Sequence, residues 1–267
     1  MVTLTGLYIY PIKSAAGIAL PAAAITGRGF QYDRRWMVVD ANGDFITQRT
    51  CPQLALVSVA IQSDSLVLSA PDQGHQAVPL TPPDTAPVTA QVWGDRCEAV
   101  PVSSAVDQWL SAVLGQACRL VYMPDTCDRP VDHGNVSIPG GAARPQVSFA
   151  DAYPFLLISE ASLADLNRRL PEPVLMNRFR PNLVVAGCDA FAEDSWSQIR
   201  VGAVEFHVAK PCSRCTVTTV DQATGQRGAE PLRTLATFRR WDGKIWFGQN
   251  LIQQGSGTVR IGDSVTL

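Results

Sequence analysis

Two cysteines three positions apart form the densest chemical signal in this chain. Cys212 and Cys215 lie in the segment PCSRCTVTTVD, with Lys210 and Arg214 close by. Such a pair is compatible with structural zinc, a redox dithiol, one thiolate acting alone, or two small apolar residues at the start of a strand. A zinc site needs two more ligands, and His207 is the only histidine nearby. A redox dithiol is expected at the start of a helix, whereas a Thr/Val-rich run follows the pair here. The neighbouring cations favour a thiolate.

Basic residues beside turns offer further chemistry, namely the binding of an oxyanion. The segment NRFRPN places Arg178 and Arg180 among amide side chains, and guanidinium groups bind phosphate through paired donors. Lys13 follows a strand-like run and a proline, where it could hold a phosphate as a point charge. The segment DRRW adds Arg34. Each segment taken alone is also compatible with ordinary surface charge, and no Gly-rich phosphate loop or serine-hydrolase elbow is present.

The elements that must position these residues are mostly strands. Apolar runs bounded by turn signals predict strands over residues 4–10, 36–40, 54–61, 65–68, 182–186, 198–201, 203–208, 216–220, 244–247 and 258–261. Helices are predicted over residues 104–114 and 159–170, the second with Ser159 as its cap. Residues 123–152, rich in proline and glycine, are interpreted as a domain boundary and a candidate lid. This pattern favours a barrel or sandwich over a doubly wound sheet.

Composition narrows the class of protein. The 267 residues carry a formal net charge of −2, with 46% hydrophobic and 17% charged residues, which argues against a nucleic-acid binder and a disordered acidic chain. No apolar run reaches the roughly 18 residues of a membrane span, and the N-terminus lacks signal-peptide features. Seven scattered cysteines do not resemble a disulfide framework. We therefore expect a cytoplasmic protein without membrane or nucleic-acid partners.

Taken together and in order, these segments resemble the MOSC superfamily. The resemblance is closest to members with an N-terminal β-barrel domain, the amidoxime-reducing components and their bacterial relatives. The segments that carry it are YPIKS, DRRW, PFLLISEASLADLNRRL, RFRPNLVV, PCSRCTVTTVD, EPLRTL, FGQN and GTVRIGDSV, which span nearly the whole chain. It implies a mostly β fold with some α structure. Residues 1–122 would form an N-terminal barrel-like domain, packed against a MOSC β-barrel of residues 123–267.

The resemblance also implies a molybdenum–molybdopterin cofactor. As the second cysteine of the motif, Cys215 would by this resemblance be the metal ligand and catalytic residue, which agrees with the preference of a sulfur-rich molybdenum site for a soft thiolate. Cys212 would not be a ligand. The pterin phosphate would be held by Lys13, Arg34 and Arg180, with hydrogen bonds from Ser14, Asp151 and Asn182. Tyr153 replaces the small hydroxylic residue that the family often has before the proline of the PF segment, which affects substrate access.

The implied reaction is the two-electron reduction of small N-hydroxylated compounds such as hydroxylamines, amidoximes and N-hydroxylated bases. The electrons would come from a separate donor of the ferredoxin, flavin or haem type. Asp221 and His133 are candidates for a general acid. Two alternatives stay open: a Cys215 persulfide that serves sulfuration of the molybdenum cofactor, and a carrier that binds molybdopterin without turnover.

Overall fold

Strands dominate the structure, as the alternation of Val, Ile, Leu and aromatic residues with turn residues predicts. The computed structural model describes residues 1–81, 84–134 and 144–267. Its strands, in chain order, are β1 Val2–Ile9, β2 Ile18–Ala19, β3 Ala22–Thr26, β4 Gly29–Phe30, β5 Trp36–Val39, β6 Ser58–Gln62, β7 Ser65–Ser69, β8 His75–Pro79, β9 Val88–Val92, β10 Asp95–Pro101, β11 Arg119–Tyr122, β12 Phe155–Ser159, β13 Leu183–Ala186, β14 Gln198–Val201, β15 Val204–Ser213, β16 Arg240–Trp241, β17 Lys244–Gln254, β18 Gly257–Arg260 and β19 Ser264–Thr266. The α-helices of these ranges are α1 Ser104–Leu114, α2 Glu160–Arg169 and α3 Leu232–Phe238.

Seven strands close into a barrel. The order around it is β12, β13, β1, β19, β14, β15 and β17, and β12 pairs with β17 to complete the ring. β12 and β13 are parallel, with Leu157 opposite Leu183. Phe155 and Phe206 are buried inside, edge to face with ring centroids 5.3 Å apart. Each such side chain contributes about 2–3 kcal/mol by leaving water, so the barrel is a firm support for the loops at its strand ends.

The N-terminal half forms three smaller sheets. β5, β11, β10 and β9 make one, β6 to β8 a second, and β3 and β4 join β18 in the third. α1 packs against the first two sheets, at β11 and β8, with a buried stripe of Val106, Leu110 and Leu114. The halves interleave, because β1 lies in the barrel and β18 pairs with β3. The predicted mostly β fold with a barrel is confirmed, whereas the boundary between residues 122 and 123 stays a prediction.

The two predicted α-helices are confirmed, and hydrogen bonds from serine explain where they begin. The Ser103 hydroxyl accepts from the Val106 amide ahead of α1, and Ser159 accepts from the Ser162 amide ahead of α2. Gly115, with φ of 66°, ends α1 in the left-handed conformation that glycine adopts without strain. Local capping chemistry is therefore enough to fix these helices.

Two predicted strands are wrong in part or whole. Of residues 54–61, the first part belongs to a 3-10 helix, Pro52–Leu56, and only Ser58–Gln62 is a strand. Residues 216–220 are not a strand, since Thr216–Thr219 forms a 3-10 turn. There the Thr218 amide donates to the Cys215 carbonyl, so tertiary placement overrides the β propensity of threonine and valine.

The predicted lid is described only at its two flanks. These flanks pair with each other: the Val131 amide donates to the Pro145 carbonyl and the Val147 amide to the Arg129 carbonyl. Residues 135–143 of this segment and the side chain of His133 lie outside the described residues. In the part of the chain that the structure describes, we find no helix with the length and apolar character to cross a bilayer.

Candidate functional site

Cys215 lies where the longest strands of the barrel end. β15 pairs with β17 through two irregularities, one on each side of Pro211, and such bulges re-aim a strand. The chain then leaves the sheet, and the Cys215 carbonyl accepts from the amide and the hydroxyl of Thr218 at 3.1 and 3.0 Å. These bonds fix the backbone on which the half-buried thiol sits.

The two cysteines of the pair have different surroundings. The Cys212 sulfur accepts from the Arg214 guanidinium at 3.0 Å, and Arg214 also donates to the Phe179 carbonyl at 2.7 Å. Cys215 instead lies within hydrogen-bonding reach of Arg49. Among the residues that the structure describes, no three His, Cys, Asp or Glu side chains are grouped as a metal site. The pair is thus organised as two separate thiols.

Asp151 connects the thiol to Lys13. Its carboxylate accepts from the Lys13 ammonium at 2.5 Å through one oxygen and from Arg49 at 2.9 Å through the other. Lys13 also donates to the Phe149 carbonyl at 2.7 Å. The chain Lys13, Asp151, Arg49 and Cys215 is therefore continuous, and it joins residues that are distant in sequence.

Burial and charge shift the pKa values in this chain. Burial lowers the pKa of Lys13 to about 8, although Asp151 acts in the opposite direction. Desolvation would raise the pKa of Asp151, but the charges of Lys13 and Arg49 outweigh it and hold the pKa well below its usual range. Desolvation likewise disfavours charge on Arg49, yet Asp151 and Cys215 raise its pKa above the ordinary value. Asp151 is consequently an anion at neutral pH.

Arg34, Arg180 and Asn182 form a second group. Arg34 donates to the Asp33 carboxylate at 2.6 Å, to the Asn182 amide oxygen at 2.9 Å and to the Arg180 carbonyl at 3.2 Å. Asn182 is fully buried, and it also bonds the Tyr8 carbonyl and the Leu156 amide. Its amide therefore ties strands of the barrel to Arg34.

Arg180 carries a buried guanidinium that is only partly satisfied. One nitrogen donates to the Ala15 carbonyl at 2.6 Å, whereas Nη2 is buried with no hydrogen-bond partner among the described residues. Arg34 and Arg180 both stack on Tyr10, 4.4 and 4.2 Å from the ring centroid. Burial lowers the pKa of Arg180 to about 10. This cluster has a donor to spare for an anion.

Three predicted site residues have a strained backbone. Ser14, Arg34 and Arg180 have φ values of 69°, 49° and 57°, in the left-handed region that side chains other than glycine rarely adopt. Each such residue costs of order 1–3 kcal/mol, and the cost is tolerated mainly at functional sites. This backbone feature is independent of the side-chain chemistry that singled out the same residues.

Residues 47–49, which join the two groups, were not predicted to belong to the site. The buried Gln48 side chain donates to the Ser14 carbonyl at 2.7 Å and pairs with Gln222. Arg227 holds this segment in place by donating hydrogen bonds to the carbonyls of Gln48 and Arg49. A signal was present, since the polar stretch TQRT interrupts apolar residues soon after the turn-forming residues ANGD. The structure thus brings all seven predicted site residues into two linked groups.

Asp221 is engaged in structure. One carboxylate oxygen accepts from Arg178 at 2.7 Å, and the other accepts from the amides of Ala223 and Thr224. Although desolvation opposes it, these hydrogen bonds lower the pKa of Asp221. A carboxyl group held ionised in this way is unsuited to donate a proton at neutral pH.

Comparison with known proteins gives a consistent family. The family model of the MOSC N-terminal beta barrel domain matches residues 1–117, and that of the MOSC domain matches residues 144–266. Mitochondrial amidoxime-reducing component 1 of Mus musculus is 39% identical over 280 residues, which cover 99% of this chain and 82% of the relative. The chain belongs to the MOSC family. The human amidoxime-reducing component 1 is 37% identical over 282 residues, with the same 99% and 82% coverage.

A MOSC relative with another name matches nearly as well. The molybdenum cofactor sulfurase of Danio rerio is 34% identical over 273 residues, or 95% of this chain. The match covers 32% of that relative, so most of the sulfurase has no counterpart here. This relative is named for the molybdenum cofactor, and both kinds of relative match nearly the whole of this chain.

The residues present in this MOSC protein fit such a cofactor. A soft sulfur ligand suits molybdenum, and Cys215 places a thiol just beyond the end of β15. A phosphate needs cations, and the buried Arg180 Nη2 lacks a partner among the described residues. Lys13, Arg34 and Arg49 add three further cations, against the carboxylates of Asp33 and Asp151. The donor set thus matches both ends of a metal-bearing, phosphorylated pterin.

Proposed function

We propose that this protein is a molybdenum-cofactor-dependent reductase of small N-hydroxylated compounds. The observation that carries the proposal is the pairing of a half-buried Cys215 thiol, in reach of Arg49, with a cationic cluster whose Arg180 donor has no partner among the described residues. The relatives that match most of this chain are named for the reduction of amidoximes. Hydroxylamines and N-hydroxylated bases share the N–OH group and extend the proposed substrate class.

The proposed roles follow from the contacts. Cys215 would bind the metal through its thiolate, and Arg49 would donate a hydrogen bond to that sulfur. Lys13, Arg34 and Arg180 would hold the phosphate, with Ser14 and Asp151 beside them. Asn182 would act by orienting Arg34, because its amide is already occupied. When bound, the cofactor supplies the oxygen-atom transfer that reduces an N–OH group by two electrons.

The electron source would be a separate protein. Among the described residues no group of three or more cysteine, histidine or carboxylate side chains could hold an iron–sulfur centre. We therefore propose an external donor of the ferredoxin, flavin or haem type. The cytoplasmic location expected from the sequence stays a prediction.

The test combines metal analysis with two matched cysteine variants. Protein from a host that makes the cofactor should contain molybdenum and pterin, and should reduce an amidoxime with a reduced viologen dye as donor. Cys215→Ser should lower the rate by about 100-fold or more, as loss of a metal ligand does, whereas Cys212→Ser should stay within roughly threefold of the parent. Correctly folded protein without molybdenum and pterin would refute the proposal. Equal losses in both variants would indicate a dithiol.

The sulfurase match supports a second candidate, in which Cys215 carries a persulfide for cofactor sulfuration. Mass spectrometry after incubation with a sulfur donor separates the two. An added sulfur atom on Cys215, together with no reduction of any N–OH compound, would favour the sulfuration role. Bound molybdenum and pterin without either activity would favour a carrier.

A further inference from the structure

Two of the remaining cysteines lie in one buried cluster outside the candidate site. Cys97 lies on β10, and Cys127 follows β11 in the described flank of the long loop. Both belong to one buried cluster with Met123 and Phe149, and they are 2% and 4% exposed. Each thiol is close enough to shift the pKa of the other, and both thiols are free.

Flanking contacts hold the two segments side by side. The Thr126 hydroxyl donates to the Glu98 carboxylate at 3.2 Å, and Arg129 donates to the Asp95 carboxylate at 2.9 Å. Residues 126–129 therefore run antiparallel to residues 95–98, with the two thiols between these contacts. A disulfide requires two cysteines whose side chains approach closely, and the flanking contacts bring the segments that carry Cys97 and Cys127 together.

The two sulfurs differ chemically. The hydrogen bond from Cys97, with added positive charge from Arg28, lowers the pKa of Cys127 to about 7, while the same contact and burial raise the pKa of Cys97. Arg28 also donates to the Cys127 carbonyl, which keeps the cation at this position. A thiolate beside a thiol is the arrangement in which one sulfur attacks and the other resolves.

We propose that Cys97 and Cys127 form a reversible disulfide when the protein meets a peroxide. The Cys127 thiolate attacks one peroxide oxygen, the O–O bond breaks, and a sulfenic acid forms while the departing hydroxide takes up the proton lost by Cys127 and leaves as water. The Cys97 sulfur then attacks the sulfenic sulfur, the S–O bond breaks, and a second water leaves with the Cys97 proton. The two thiols lose two electrons, and one hydrogen peroxide becomes two waters.

The Cys97–Cys127 disulfide would affect the backbone that positions Asp151. It would close the chain from residue 97 to residue 127, which includes α1 and β11, and fix the segment that leads to Arg129. The Arg129 guanidinium donates to the carbonyls of Ala150 and Asp151 at 2.6 and 3.1 Å. Oxidation would thus stiffen the backbone that positions Asp151, whether or not the proposed reductase activity holds.

Peptide mapping tests the disulfide directly. Full-length protein is reduced, freed of reductant, exposed to a small excess of hydrogen peroxide, and then denatured in a maleimide and digested with trypsin. We expect a linked peptide that joins Cys97 to Cys127 and disappears after treatment with dithiothreitol. Since Cys97 and Cys118 share the tryptic peptide of residues 97–119, the Cys118→Ser variant decides which of them is linked.

The matched variants give opposite expectations. The link should persist in Cys118→Ser, another buried cysteine, and be absent in Cys97→Ala and Cys127→Ala. Loss of the linked peptide in Cys118→Ser would assign the bond to Cys118 and overturn the proposal. Sulfinic acid at Cys127 in the folded parent protein, without any linked peptide, would overturn it as well, and this outcome needs no variant to fold.

Discussion

Replacing Lys13 by methionine tests whether the buried charge of Lys13 lowers the stability of the folded protein. The Lys13 ammonium is 5% exposed, and burial lowers its pKa from the ordinary 10.5 to about 8. That difference corresponds to roughly 3 kcal/mol by which the folded state disfavours the charged form. The charge is therefore retained at a cost, even with Asp151 at 2.5 Å.

The interactions that Lys13→Met removes are worth less than the free energy by which the folded state disfavours the Lys13 charge. Methionine leaves the Phe149 carbonyl without its lysine partner, which costs about 1 kcal/mol. Breaking a buried ion pair can cost about 3–5 kcal/mol, but Asp151 is half exposed and keeps Arg49 at 2.9 Å, so only part of this loss applies. We expect Lys13→Met to raise the free energy of unfolding of the cofactor-free protein by about 1–2 kcal/mol at pH 7.

The stability gained by Lys13→Met should decrease as the pH rises. Because the pKa of Lys13 is lower in the folded than in the unfolded state, the unfolded chain binds more protons between about pH 8 and 10.5. The parent protein therefore gains stability as pH rises through this window, and the advantage of Lys13→Met shrinks.

Urea unfolding followed by circular dichroism at pH 7 and 9.5 measures both effects. Lys244→Met is the matched control, since Lys244 is exposed and should change the free energy of unfolding by less than about 0.5 kcal/mol. Pterin content of Lys13→Met from a cofactor-producing host should fall, because the phosphate loses a cation. A variant less stable than the parent at pH 7, or a stability difference that is the same at both pH values, would refute the reasoning.

Three further substitutions probe other parts of the site. Arg180→Lys should lower bound pterin by about tenfold, since lysine cannot present paired donors, as measured by pterin fluorescence; unchanged content would contradict a phosphate contact. Asn182→Ala should lower the free energy of unfolding by about 2–4 kcal/mol in urea titrations, because Arg34 and barrel backbone groups lose a buried partner. A change below about 1 kcal/mol would be inconsistent with this network. Asp221→Asn should leave the pH–rate profile unchanged, since the pair with Arg178 keeps the carboxylate ionised; a displaced limb of the profile would restore Asp221 as an acid.

Local signals predicted local structure well. Ser159 caps α2 as expected because a cap needs only the next few residues, and β13 follows its apolar run for the same reason. The segment 216–220 failed because threonine and valine favour strands, while the Cys215 carbonyl and the bulged end of β15 impose a turn. The error thus lies where the chain leaves the barrel to build the site.

The site itself was predictable only as far as motifs reach. The residue types around Cys215, Lys13 and Arg180 indicate the chemistry of these residues. No spacing in the sequence, however, connects Arg49 to the Cys215 thiol. Arg49 meets Asp151 across 102 positions of sequence. It also stacks on Trp93, 4.6 Å from the ring centroid. Contacts of this kind depend on how the smaller sheets pack against the barrel, which no local pattern encodes.

The same charge excess that weakens the cofactor-free fold would give the site its affinity. Arg34 and Arg180 are held together on Tyr10, and their mutual repulsion adds to the burial that lowers the pKa of Arg180. Their backbones, with that of Ser14, are strained, and such strain persists only where the surroundings fix it. The Asn182 network and the closed barrel provide that constraint. An anion bound to Arg180 Nη2 would therefore meet donors already in place, so its binding energy is not spent on ordering them.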